Sequence, residues 1–128
     1  QEYTSLQDAL AETDQDYDLV PTWIPDGYVL EEIIVDENPI QRVYIAVYDN
    51  NGKRLKITIR SYLDIDPEKV EVNDTLLEIY KLSGMEYYIF QNDLQLRVVW
   101  INSSYECYIS GELTLEEIKT MINSIGKG

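Results

Sequence analysis

Residues 80–109, YKLSGMEYYIFQNDLQLRVVWINSSYECYI, alternate apolar and polar side chains in short blocks broken at Ser83-Gly84, Asn92-Asp93 and Asn102-Ser103. Alternation with period two between turn residues is the mark of antiparallel strands with one buried face. A two-residue loop at Ser83-Gly84 sets Leu82 opposite Met85, Tyr80 opposite Tyr87, and Lys81 opposite Glu86 as a charge pair. Loops at Asn92-Asp93 and Asn102-Ser103 then place Tyr87 opposite Val98, Ile89 opposite Leu96, Trp100 opposite Tyr105, Val98 opposite Cys107 and Leu96 opposite Ile109. One face collects Leu76, Tyr80, Leu82, Met85, Tyr87, Ile89, Leu94, Leu96, Val98, Trp100, Tyr105, Cys107 and Ile109. That face is a core.

The stretch after it predicts a helix that folds back onto this sheet. Thr114 and Glu117 have capping-box spacing, Leu115, Ile118, Met121, Ile122 and Ile125 form one apolar stripe, and Gly126 stands where a left-handed C-terminal cap belongs. Upstream, a hairpin of about 42–48 and 54–61 surrounds Asp49-Asn50-Asn51-Gly52-Lys53. A two-residue loop puts Tyr44, Ala46 and Tyr48 with Leu55, Ile57 and Ile59. A three-residue loop with a bulge at Gly52 pairs Val43, Ile45 and Val47 with them instead, and the β-branched match favours it. In that register Tyr44, Tyr48, Lys56, Thr58 and Arg60 share the opposite face.

Residues 1–20 read as a short helix and an acidic connector, and 21–128 as a single α+β domain. Pro21 to Tyr28 is an extended turn into the sheet, with a tight turn at Asp26-Gly27. Asp66-Pro67-Glu68 suggests a helical turn without a firm register. The expected fold is α+β: a curled antiparallel sheet of six or seven strands in a meander, with the C-terminal helix packed on one face.

The 128 residues suffice for one self-folding domain, and 45% apolar content rules out disorder as an account of the whole chain. A net charge of −14 argues against nucleic acid or an anionic membrane surface as partner. No Lys or Arg precedes Arg42, so the eleven acids from Glu2 to Glu37 read as a solvated face. No apolar run reaches membrane-spanning length. The chain starts at Gln1 rather than Met, so residues upstream are expected to have been removed, with a signal peptide or membrane helix as candidates among them.

Few residues are left for chemistry. There is no histidine, and the one cysteine, Cys107, falls on the core face with no base to activate it, so it reads as a small hydrophobe. Asp14, Asp16 and Asp18 alternate like calcium ligands, but an EF-hand's glycine and glutamate positions hold Leu19 and Pro25. Glu31 and Glu32 point to opposite sides of a strand and cannot flank one bond. Glu116 and Glu117 complement a helix dipole. No metal, cofactor or catalytic residue is expected. The binding candidates are aromatic and basic: Tyr44, Tyr48, Lys56 and Arg60, an amphipathic stripe of rigid rings with polar tips. The competing reading puts this stripe beneath the N-terminal segment, whose acids neutralise Lys56 and Arg60.

Several soft motifs carry a resemblance. They are Ile24-Pro25-Asp26-Gly27-Tyr28, Tyr48 with Gly52, Val98 and Trp100, Tyr108, Gly111 and Leu113, then Glu116, Glu117, Ser124 and Ile125. From Pro21 onward the chain resembles a family of domains of unknown function, numbered 4367, found mainly in membrane-anchored, anti-sigma-factor-like proteins of Gram-positive bacteria. The resemblance implies a non-enzymatic extracytoplasmic sensor or interaction domain, tethered upstream of Gln1 or secreted, that recognises a protein, peptide or envelope component. The alternative is a carrier holding an apolar ligand such as a lipid between sheet and helix.

Overall fold

A computed structural model describes residues 19–37, 41–62, 75–102 and 105–125, together with Ser5. The strands are β1 (Val29–Glu37), β2 (Gln41–Asn50), β3 (Lys53–Tyr62), β4 (Thr75–Leu82), β5 (Met85–Asn92), β6 (Gln95–Asn102) and β7 (Tyr105–Gly111), followed by helix α1 (Leu115–Asn123). They form one antiparallel sheet in the order β1-β2-β3-β7-β6-β5-β4. Two meanders, β1–β3 and β4–β7, therefore meet where β7 pairs with β3, and the sheet stays open with β1 and β4 at its edges. This is the expected α+β fold. The N-terminal helix and acidic connector through Asp18, the Asp66-Pro67-Glu68 turn and the Gly126 cap lie outside the described residues.

The β2–β3 hairpin corrects the favoured sequence register. Asn50 pairs with Lys53, so the loop is the two residues Asn51-Gly52, both left-handed at φ 50° and 93°. Paired left-handed residues match the twist of the flanking strands, and Asn-Gly adopts them at least cost. Tyr44 then stands opposite Ile59, Ala46 opposite Ile57 and Tyr48 opposite Leu55. Strand β2 is apolar on both faces, so hydrophobic pattern could not choose between registers. Turn chemistry chose.

In the second meander the Ser83-Gly84 hairpin has the expected pairs, Leu82 with Met85 and Tyr80 with Tyr87. The next two registers slide by two residues. Ile89 pairs with Val98, and Trp100 with Cys107. A shift of two keeps every side chain on its face, so Tyr87, Ile89, Leu96, Val98, Trp100, Cys107 and Ile109 are buried as expected. Two expected core residues are not. Leu94 falls in the loop and is 81% exposed. A bulge between Leu76 and Glu78 sends Leu76 to the other face opposite Phe90, where it is 48% exposed.

Helix α1 covers the inner face of the sheet. Glu117 N–H donates to Thr114 Oγ1 (3.1 Å) and Thr114 N–H to Glu117 Oε1 (2.9 Å), the full capping box. Ile118, Met121 and Ile122 are buried in one cluster with Tyr44, Leu55, Ile57, Ile59, Val98, Trp100 and Ile109. Leu19 and Val20, at the end of the stretch read as connector, are buried in the same cluster. The lead-in is pinned beyond them. The backbone N–H groups of Thr22 and Trp23 donate to Ser124 Oγ at 3.0 and 3.1 Å, at the helix C-terminus. At the far side Lys119 meets Glu78 at 2.8 Å, and Tyr80 donates to Asn123 Oδ1 at 2.8 Å, tying the helix to β4.

The reversal from β7 into α1 takes three residues, with Leu113 N–H donating to the Gly111 carbonyl at 3.0 Å. Gly111 pairs with Leu55 on one side and Leu96 on the other, and a Cβ there would lie 2.8 Å from the Arg54 carbonyl oxygen. That neighbour is backbone and cannot swing away. Gly111→Ala should therefore destabilise the domain by about 1–3 kcal/mol, the usual cost of overpacking. Urea unfolding checks it, and an unchanged midpoint would show that β3 and β7 can separate without penalty.

Candidate functional site

The sheet's outer face, turned away from α1, is built from the residues between the core positions. Six strand registers connect one row across all seven strands: Ile34–Ile45–Thr58–Tyr108–Val99–Tyr88–Ile79. Apart from Thr58 and the hydroxyls of its tyrosines, this row is apolar. Tyr108 stands at its middle with two guanidinium groups over its ring, Arg60 at 5.4 Å and Arg97 at 5.1 Å from the centroid. Such cation–π contacts fix an arginine's orientation while leaving its charge in place. Beside them Glu106 is buried, as are Val43 and Val47.

The β4 end of this face is more open. Leu76, Ile79, Tyr88 and Ile101 are each more than a third exposed there, and Leu77, in the bulge, is 46% exposed. Strands β4–β6 thus carry five of the large exposed hydrophobics among the described residues. Exposed apolar side chains scattered singly mean little, but a contiguous group marks a surface that binds something.

The four binding candidates named from sequence are not brought together. Tyr44 is fully buried on the inner face opposite Ile59, and Tyr48 packs against the same core. Lys56 and Arg60 stand opposite Val47 and Val43 on the outer face. The physical reason is the Asn51-Gly52 turn: a one-residue change of register moves every side chain of β2 across the sheet. The aromatic and basic residues that the outer face does bring together include Tyr88, Tyr108, Lys56, Arg60 and Arg97. Tyr88, Arg97 and Tyr108 occupy the alternate positions of the 85–109 meander, so its parity already marked them as a second face. Arg60 joins them through the β3–β7 pairing, a long-range register that no stretch of neighbouring residues signals.

The sequence model of the family described as Domain of unknown function (DUF4367) matches residues 18–125. The chain belongs to that family. No curated protein matches it. Leu19 and Val20 lie within the matched span, in keeping with their place in the core.

In this DUF4367 domain the thiol is set up for packing rather than reaction. Cys107 is wholly buried between Ile59 and Trp100. Burial pushes its thiol well above the ordinary range, and the charge of Glu106 adds to the shift. Burial likewise raises the phenols of Tyr28, Tyr48 and Tyr87, with acidic neighbours Glu117, Glu112 and Asp49 adding to it at Tyr28 and Cys107 at Tyr87. These are groups held neutral in the fold. As pH rises past 9.0, the thiol's ordinary value, the unfolded chain loses this proton while the native chain keeps it. Stability should therefore be fully present below that pH and fall above it, by up to about 1.4 kcal/mol per pH unit from Cys107 alone. Urea midpoints at about pH 8 and about pH 10 test the sign, and Cys107→Ala should lose less over that interval. Iodoacetamide should leave the native thiol untouched and label it in urea. Rapid native labelling would mean that the core opens.

Proposed function

We propose that this domain is a non-enzymatic interaction module on the extracytoplasmic side of a cell membrane. It belongs to a regulatory protein tethered through residues upstream, and recognises a protein, peptide or envelope component. The observation that carries the interaction reading is the cluster of exposed apolar side chains at the β4 end of the outer face, standing over a filled core. Tyr44, Ile57, Ile89, Val98, Trp100, Ile109, Ile118 and Met121 have almost no accessible surface, so no water-sized space lies beside them. A lipid cavity between sheet and helix needs lining residues of that kind to be accessible, which favours a surface partner over an internal ligand. The location rests on the resemblance to tethered, anti-sigma-factor-like proteins.

The test uses the full-length protein in its native host. External protease should remove the domain from intact cells, and a photo-crosslinking residue in place of Tyr88 should trap a partner that one in place of Glu37 does not. Digestion only after lysis would overturn the location. Equal crosslinking from both positions would overturn the surface.

A further inference from the structure

The two edges of the open sheet differ in kind. Edge strand β1 carries Glu31, Glu32, Asp36 and Glu37, with a bulge between Leu30 and Glu32. Charges and bulges are how proteins stop an edge from pairing with another strand. Edge strand β4, Thr75–Leu82, has a bulge at its start, but it presents Leu76, Leu77 and Ile79 and only two charges. Both of those are answered within the chain: Glu78 meets Lys119 at 2.8 Å, and Lys81 stands opposite Glu86. The strand is also held in place from behind by Tyr80, which donates to Asn123 and lies under the Lys119 ammonium at 5.3 Å. Among the described residues no strand pairs with its outer side. It is a rigid, locally neutral, apolar edge at the end of the row that finishes in Ile79.

We propose that a second copy of this chain joins the sheet at β4, antiparallel, about a twofold axis at Ile79. A closed dimer needs one patch that complements itself, and this edge meets that condition. With Ile79 opposite its own copy, the regular stretch from Glu78 to Tyr80 keeps its parity, so inner residues continue the inner face and outer residues the outer face, while the bulge takes Leu76 out of this register. Glu78 then faces Tyr80 of the other copy rather than Glu78, and the apolar row runs unbroken through Tyr88, Ile79, Ile79 and Tyr88. The same operation at β1 would bring acids into the joint. The inference deepens the reading of the outer face as an interaction surface and rests on it.

Each copy carries −14, so long-range repulsion opposes the joint while the joint itself is neutral. Salt screens the first and spares the second, so association should strengthen with ionic strength. Sedimentation velocity in about 0.01 M and about 1 M NaCl, where the screening length falls from ~30 to ~3 Å, reads this directly. The dimer fraction should rise with salt. Ile79→Lys should weaken association at least about tenfold, or about 1.4 kcal/mol, at an unchanged melting temperature. Leu77→Lys should weaken it too, whereas Ile34→Lys at the other end of the row should not. A chain that stays monomeric at high salt overturns the proposal, as does an Ile34→Lys variant that dissociates while Ile79→Lys does not. A monomer in solution whose Tyr88 position still crosslinks to a foreign partner overturns this inference and leaves the interaction reading standing. A dimer whose domain is protected in intact cells does the reverse for the location.

Discussion

Ile122→Asp leaves the domain unfolded at room temperature. Ile122 has no accessible surface and lies where α1 meets the sheet, in one cluster with Met121 and Ile118. A carboxylate there has three options. It can stay charged without a partner, take up a proton and remain a poorly satisfied polar group, or push the helix off the sheet. The first two cost several kcal/mol, and the lost isoleucine packing adds roughly 2–5 kcal/mol. Domains of this size have about 5–15 kcal/mol in total, so the sum reaches the limit. The expected result is loss of near-ultraviolet circular dichroism and of any cooperative melting transition. A variant that melts as the natural chain does would mean α1 is not a structural member of the core.

Trp100→Ala has the second largest effect, about 3–5 kcal/mol, the range for removing a large buried aromatic. Trp100 is 1% exposed, stands opposite Cys107, and meets the Tyr87 ring at 5.3 Å between centroids and 53° between planes. The tilted contact adds about 0.5–1.5 kcal/mol to the area it buries. β5 and β7 flank β6 on the two sides of this ring, so the hole left behind can close only if several strands move together. The melting temperature should fall by more than about 10 °C, given roughly 4–8 °C per kcal/mol for somewhat smaller domains. Trp100→Phe should recover most of it. The tryptophan fluorescence left in that variant, excited selectively at the red edge, belongs to Trp23 alone, which is 37% exposed and should emit at longer wavelength. A fall of only a degree or two in Trp100→Ala would show that the core repacks freely.

How much of this was legible beforehand varies by element. The closing helix was fully so over residues 114–125, because its signals are local: a capping box within four residues and a stripe with helical period. The 80–109 meander was legible in its faces but not in its exact pairs. Two of its loops slid by two residues, and period-two alternation is blind to such a slide. It was also blind to the bulge that turns Leu76 outward, since a bulge changes parity without leaving a mark in composition. The β2–β3 hairpin was misread because VYIAVY offers apolar residues to both faces, so the strands themselves could not choose between registers. Asn51-Gly52 could, and it outweighed the β-branched match.

The candidate site suffered most from that single step. Tyr44 and Tyr48 moved into the core, and Lys56 and Arg60 were left on a face whose other members, Tyr88, Arg97 and Tyr108, lie 28 or more positions away in sequence. By itself the sequence determined the class of fold, the helix and its buried stripe, the two faces of the second meander and the inert place of Cys107, because each follows from local period, capping or charge. Only the tertiary structure decided that β7 inserts beside β3, that Gly111 must have no side chain, that two arginines meet over Tyr108, and that β4 and not β1 is the unguarded edge. Those are consequences of strand order and long-range register, which depend on how separate segments pair and which no window of neighbouring residues contains.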